Sequence, residues 1–427
     1  MKRLVFLLLP TIFIAMVALS ASAEDTKHPT PLTLQDCLNA AMQEQTDLIV
    51  ARNNVLIAKN RSSQALSSYL PQLSVQNNAF HIGQGVLNKA TNGTALSISQ
   101  NIFDGGLREA NALGARYGVK QNNASLNRTQ QTVVYNVTKA YYEMLRSKHL
   151  ADVADANVKY TESLRDQIQS RADLGDAAKV DVLPVEAQLA NAKVNALSAQ
   201  NAVRTSALAL ESAIGMTPEA GFDIQDVDKV PDPKVEPMGN YVTTALNSRP
   251  DVEETKAGTG VARASLKAAR INLYPRPVIS AEYQRQIQGG FTTSGTQVVG
   301  GIVFDIFNGG ANRAAYREAK ASQANAQQQE KQVVKDIQTQ VENAYLDLTS
   351  SKLRLDAGET GLEAAQKNYD AQKERYNQGL ATPLDLLNAE VQLVTAQSNM
   401  VQARYDYYIA IAEMDYSVGK QGGFNAR

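Results

Sequence analysis

The sequence predicts a mainly helical fold with a small β part, built as two copies of one unit. Three observations predict it. First, NIFDGG at 101–106 returns as DIFNGG at 305–310. The offset, 305 minus 101, is 204, and it also relates Pro71 to Pro275, Tyr141 to Tyr345, Gly175 to Gly379, Asp181 to Asp385 and Gly215 to Gly419. A repeat this long, without insertion, is a tandem duplication. Second, each copy holds a proline-free run long enough for a helix of about 65 residues, or about 100 Å at 1.5 Å per residue. Third, each copy carries two short segments in which apolar residues alternate.

The elements follow in chain order. Residues 34–69 read as one helix that Pro71 stops, because the residue before a proline is pushed out of the helical region. Residues 72–82 lose helical periodicity and read as a strand. Residues 83–94, rich in Gly and Asn, read as a loop, and 95–103 as a second strand. Gly105-Gly106 leads into a helix over about 107–173, which turns at Leu174-Gly175-Asp176 and returns as a helix from about 178 to 214. The second copy repeats the plan: helix 239–272, strand 277–286, loop 287–295, strand 296–307, Gly309-Gly310, long helix, turn at Gln378-Gly379-Leu380, return helix 382–417. The domain plan is therefore a signal peptide at 1–23, a first repeat at 24–215, a proline-rich linker at 216–238, a second repeat at 239–419 and a tail at 420–427. The signal reading rests on Lys2-Arg3, the apolar run 4–19 broken by Pro10, and Ala21-Ser22-Ala23 as an A-x-A cleavage site.

Both return helices carry a heptad seam. It runs through Val180, Leu183, Ala187, Ala190, Val194 and Leu197 in the first copy. In the second it runs through Leu384, Leu387, Val391, Val394, Ser398, Val401, Tyr405, Tyr408 and Ala412.

Composition excludes several classes. The net charge of −1 gives no footprint for nucleic acid. Cys37 is alone, so no intrachain disulfide or cysteine metal cage exists. The three histidines, His28, His81 and His149, are scattered and read as structural. There is no Gly-rich phosphate loop, no H-E-x-x-H and no G-x-S-x-G, so neither an enzyme nor a cofactor is expected.

The strands point to a membrane. Even positions are apolar in the strand before Gly-Gly (Leu96, Ile98, Ile102; then Val298, Ile302, Phe304, Ile306). Odd positions are apolar in the strand after the proline (Leu73, Val75, Ala79; then Ile279, Ala281, Tyr283). The opposite faces carry Ser, Asn, Gln and Glu. One apolar and one polar face over about ten residues suits a transmembrane barrel, which needs at least about eight strands. Each chain offers four, so the chain must oligomerise; two copies give eight strands and three give twelve. A soluble four-stranded sheet on a helical body is the alternative.

The duplicated proline-strand-loop-strand-(I-F-x-G-G)-helix cassette and the tip segment Tyr376-Asn-Gln-Gly379-Leu-Ala-Thr-Pro-Leu-Asp385-Leu-Leu resemble the outer-membrane efflux protein family, the TolC-type channels, over about Leu34 to Gly419. The resemblance implies a homotrimer with one twelve-stranded barrel in outer-membrane lipid and one long helical coiled-coil barrel in the periplasm. It implies an exit duct serving an inner-membrane transporter and a periplasmic adaptor protein, in efflux or type I secretion. A non-channel coiled-coil scaffold or adhesin is the rival reading. Gly105, Gly106, Gly309 and Gly310 would then mark the strand-to-helix crossings. Leu174, Gly175, Asp176, Gln378, Gly379 and Leu380 would be the tips that meet the adaptor. Asp385, with Asp181, Tyr376 and Asn388, would line the constriction. Two positions depart from the family's best-known gate: Ala381 stands where a basic residue can occur, and Asn388 where a second acid can occur. With Thr382 as N-cap and Pro383 at the first helical position, Asp385 is also expected at N3, where a carboxylate suits the helix dipole.

Overall fold

The computed structural model describes residues 31–78, 93–175, 178–216, 223–227, 233–288 and 290–420. The expected signal peptide at 1–23, His28, Ala79, His81, most of the 83–94 loop, Asp176 and the tail beyond residue 420 lie outside the described residues. The element order is α1 (Leu34–Glu44), α2 (Thr46–Ser67), β1 (Gln72–Asn78), β2 (Gly93–Phe103), α3 (Leu107–Leu174), α4 (Val182–Ile214), α5 (Met238–Ser248), α6 (Pro250–Ile271), β3 (Arg276–Gln288), β4 (Phe291–Val303), α7 (Ala311–Asn377) and α8 (Pro383–Val418). A 3-10 turn, Lys179–Asp181, opens the first return helix, which was expected to start as α-helix near 178.

The single helix expected at 34–69 is two helices that break at Gln45, and the one at 239–272 breaks at Arg249. Both break residues have extended backbone, with φ −65° and ψ 121° at Gln45 and φ −72° and ψ 128° at Arg249. In the second copy Pro250 enforces this, because it excludes α-helix at the residue before it. The first copy has Thr46 there instead, so sequence gave no warning. The breaks serve the return helices. Gly215 ends α4 at φ 89° and Gly419 ends α8 at φ 83°. A Cβ on Gly215 would meet Gln45 Cα at 2.9 Å, and one on Gly419 would meet Arg249 Cγ at 2.8 Å. Thus α4 abuts the start of α2, α8 abuts the start of α6, and each pair lies end to end beside the long helix of its own copy.

The strands form one antiparallel sheet in the order β1-β2-β3-β4. Gln72 pairs with Ser99 in the first hairpin and Arg276 with Val303 in the second, so the same register recurs with both strands displaced by 204. Leu73 faces Ile98 and Val75 faces Leu96. Cross-strand partners share a face, so the odd positions of one strand and the even positions of the next make one apolar surface, as their parity predicted. Ala281 opposite Val298 and Pro277 opposite Ile302 continue it. The second hairpin departs from expectation. Its strands run to Gln288 and from Phe291, through residues assigned to a loop, and the turn between them holds Gly290 at φ 86°. Phe304 to Phe307, expected as strand, are not. Pro277 lacks an N–H, and it lies past Ile279, where β2 stops pairing with β3, so only β4 flanks it.

The core is helical and falls into two clusters. The larger packs α1, α3, α5, α7 and α8 around Tyr141, Leu145, Ile337, Leu348 and Met414. The second lies nearer the hairpin ends and includes Leu164, Ile168, Val185, Tyr369, Tyr376, Leu386 and Leu393. Cys37 is buried in the larger cluster, and burial pushes its thiol up to about 11. His149 is structural: its ring stacks on Tyr405 and its Nε2 lies 3.1 Å from Asp226 of the linker. Among the described residues no helix is long and apolar enough to cross a membrane.

Candidate functional site at the hairpin tips and the sheet

The strand-to-helix crossings are where the Gly-Gly pairs place them. Gly105, Gly106, Gly309 and Gly310 all have positive φ, between 68° and 91°. A Cβ is strongly disfavoured there. In the first copy the crossing is tied down by Arg108, which sequence reasoning did not single out. Its Nη2 donates to Ile102 O at 2.8 Å and its Nη1 to Asn101 O, at the register shift where β2 leaves β3. Its guanidinium also lies 4.5 Å from the centre of the Tyr69 ring. Asp104 accepts from the N–H groups of Leu107 and Arg108, capping α3. In the second copy the equivalent of Arg108 is Asn312, which donates to Asn272 O at 3.1 Å. No sequence pattern marks Arg108, because its partners are backbone carbonyls.

At the other end of the long helices, two hairpin tips stand at equivalent positions. Leu174 and Leu380 are 79% and 65% exposed, and Gly175 and Gly379 have φ 85° and 73° with open space around them. Gln378 ends α7 and donates to Glu374. Asp385 sits at N3 of α8 in a full capping box: its Oδ2 accepts from Thr382 N at 2.9 Å and Thr382 Oγ1 at 2.7 Å, while Asp385 N donates back to Thr382 Oγ1. The Thr382 hydroxyl bond, then the backbone bond, holds its carboxyl below the usual carboxylate value. Asp181 has no such box; it precedes α4 with helical backbone and makes no side-chain cap.

The remaining candidates separate. Asn388 is exposed, one turn beyond Asp385. Tyr376 is 4% exposed, packed with the second core cluster, and the Arg171 guanidinium lies 5.1 Å from its ring centre. The acids are therefore on the surface of one chain, while the tyrosine is inside it.

The heptad seams explain what else the chain leaves open. In α8, Tyr405 and Tyr408 of the expected seam pack on His149 and Tyr142 of α3. In the tip-side part of α4 the buried residues are Val182, Val185, Leu189, Ala192 and Ala196, a second stripe. The expected seam is displaced from it, and Val180, Leu183, Val194 and Leu197 are each at least 60% exposed. So α4 carries two apolar stripes of which the chain covers one, while on α8 the seam is covered at Leu387, Tyr405 and Tyr408 and exposed at Leu384 and Val391.

A family model for outer membrane efflux proteins matches residues 37–216 and again 241–420, two segments offset by 204. The outer membrane efflux protein BepC of Brucella suis biovar 1 is 26% identical over 419 residues, covering 96% of this chain and 90% of that protein. The outer membrane protein TolC of Escherichia coli K12 is 22% identical over 374 residues, covering 82% of this chain and 75% of that protein. Among solved structures, CusC superposes with a TM-score of 0.78 at 16% identity over 92% of this chain and 93% of its own. VceC from Vibrio cholerae gives 0.78 at 18% identity over 91% of this chain and 96% of its own. The chain belongs to the outer membrane efflux protein family and is a TolC-like outer-membrane efflux or secretion channel, with a periplasmic helical part and no enzymatic role.

Proposed function

We propose that three copies of this chain close into one duct, a twelve-stranded barrel followed by a helical barrel, that serves as the exit of a tripartite efflux pump or type I secretion system. The open sheet carries this reading. Pairing runs from β1 to β4 and stops, leaving two free edges, and free edges are not tolerated in hydrocarbon. TolC-family channels form trimers and work in tripartite pumps. The uncovered stripe of α4 supports the same assembly. On α8 the far end of the seam, Tyr405 and Tyr408, packs against α3 of the same chain, so by the repeat the equivalent partner for α4 is α7 of the next copy. Mass measurement in detergent tests this: a trimer is expected, and a monomer that still inserts into lipid refutes it.

The inner-membrane transporter and the periplasmic adaptor are the partners proposed, with Leu174, Gly175, Asp176, Gln378, Gly379 and Leu380 as the surface the adaptor meets. A three-fold axis would repeat Asp385 three times, with Asp181, Asn388 and Tyr376 nearby. A carboxylate ring at a narrow point attracts cations. Asp385→Asn is expected to lower cation preference and divalent-cation block in planar bilayers, with trimers intact. Unchanged selectivity together with lower thermal stability would leave Asp385 as a helix cap alone.

A further inference from the structure

Behind the tip, the contact between α3 and α8 encloses a carboxyl group. Glu390 is 3% exposed. Its Oε1 accepts from Thr161 Oγ1 of α3 at 3.1 Å, and its buried Oε2 meets no donor among the described residues. Thr161 is fully buried. Leu164, Ile168, Leu386 and Leu393 supply apolar walls. Beside the pair, Tyr160 of α3 and Tyr369 of α7 meet edge to face with centroids 5.5 Å apart and share a hydroxyl hydrogen bond.

Among the described residues, the titratable groups on which the Glu390 charge acts include these two phenols. Burial raises both above the ordinary tyrosine value, so they stay neutral. On α7, Asp370 follows Tyr369, and the Lys373 ammonium lies 5.8 Å from the Tyr369 ring centre. No cation forms an ion pair with Glu390 among the described residues. Burial pushes its carboxyl up to about 7, while the Thr161 hydroxyl pulls it down.

The duplication keeps a glutamate at both equivalent places but not its surroundings. The equivalent of Glu390 on α4 is Glu186, which is exposed, and the equivalent of Thr161 on α7 is Ala365. Within one chain only the α3–α8 contact buries the acid, and only it supplies the hydroxyl.

We propose that Glu390 is a proton-operated pin, a positioning residue that holds α8 against α3 while it is a neutral acid and releases α8 when it gives its proton to solvent. A carboxylate in that apolar seam must draw in water or move out. Because α8 carries Asp385 and α7 carries Tyr376, release would shift the tip. The sign follows from the raised value: the contribution to packing is full below about 4.5, the unfolded value, and is lost as pH rises through about 7. The coupling to conduction rests on the channel reading; the pin itself does not.

The full-length protein is tested in planar bilayers and by amide hydrogen exchange of α3 and α8 between about pH 5 and pH 9. Wild type is expected to show a rise in open fraction, and a loss of protection around Thr161 and Glu390, centred near pH 7. Glu390→Gln removes both transitions and stays protected throughout. Thr161→Val moves the midpoint to higher pH, because it deletes a bond to the charged form. A transition that survives Glu390→Gln, or a midpoint that Thr161→Val leaves in place or lowers, overturns the pin. An exchange transition that follows Glu390 with no change in conduction keeps the pin and refutes its coupling to the tip.

Discussion

Glycine carries much of the local geometry, and two positions separate its two uses. Gly379 needs a positive φ of 73° but has open space around it, whereas Gly215 needs φ 89° and also presses on Gln45 Cα and Glu44 O. Gly379→Ala is therefore expected to cost about 1–2 kcal/mol, the left-handed penalty alone. Gly215→Ala adds a further ~1–3 kcal/mol of overpacking against backbone. Denaturant midpoints of the two variants measure the gap, and equal midpoints would refute it. Both glycines were legible in the sequence, because the repeat and the turn context mark them. Arg108, Thr161 and Glu390 were not. Each acts through a partner on another segment, and the duplication changes Arg108 to Asn312 and Thr161 to Ala365, while it keeps Glu390 as a glutamate, Glu186, that is exposed within the chain.

The strands and the long helices were legible, but element ends were not, and 34–69 and 239–272 are each two helices where one was expected. The break at Gln45 escaped because helix-forming sequence continues across it, whereas Pro250 was a readable stop for the break at Arg249. The second hairpin ran further than its loop-like composition suggested. Its Thr, Ser and Gly residues keep alternating against β3, and ladder hydrogen bonds outweigh that composition. The seam on α4 was legible as periodicity, but which of two stripes the chain buries was not. The strand-to-helix crossings should differ in strength. Arg108→Ala strips the carbonyls of Ser68, Asn101 and Ile102 of their side-chain donor, a loss of about 1–3 kcal/mol each where burial persists. Asn312→Ala removes one weaker tie. Exchange at the ends of β2 and β4 should rise more in the first variant; equal rises would mean that Arg108 is not the tie.

At the scale of the whole molecule, the chain serves as its own template. The pair Thr161 and Glu390 lies between the two copies inside one chain. Adding 204 to the first number and subtracting it from the second gives Ala365 and Glu186. In a closed trimer these should meet across neighbouring chains. Cysteines at both, bridged by a short bifunctional thiol reagent, are expected to yield covalent dimers and trimers, with buried Cys37 as a quiet background. Cysteines at 161 and 390 should yield only monomers with an internal bridge. Internal bridging at 186 and 365 would contradict the proposed closure. The oligomer was never legible in periodicity, which shows only that four strands are too few; the number three came from resemblance.

The end-to-end abutment of α4 on α2, and of α8 on α6, has a mechanical consequence. Each hairpin is an unbroken rod of 68 or 67 residues, about 100 Å long, lashed to a companion rod with a joint in it. Under torsion the unbroken rod stores strain along its whole length. The jointed rod can slip where Gly215 meets Gln45 and where Gly419 meets Arg249. A twist applied at the far end would thus reach the strands along the unbroken rods alone, while the companion rods slip at their joints and carry little of it.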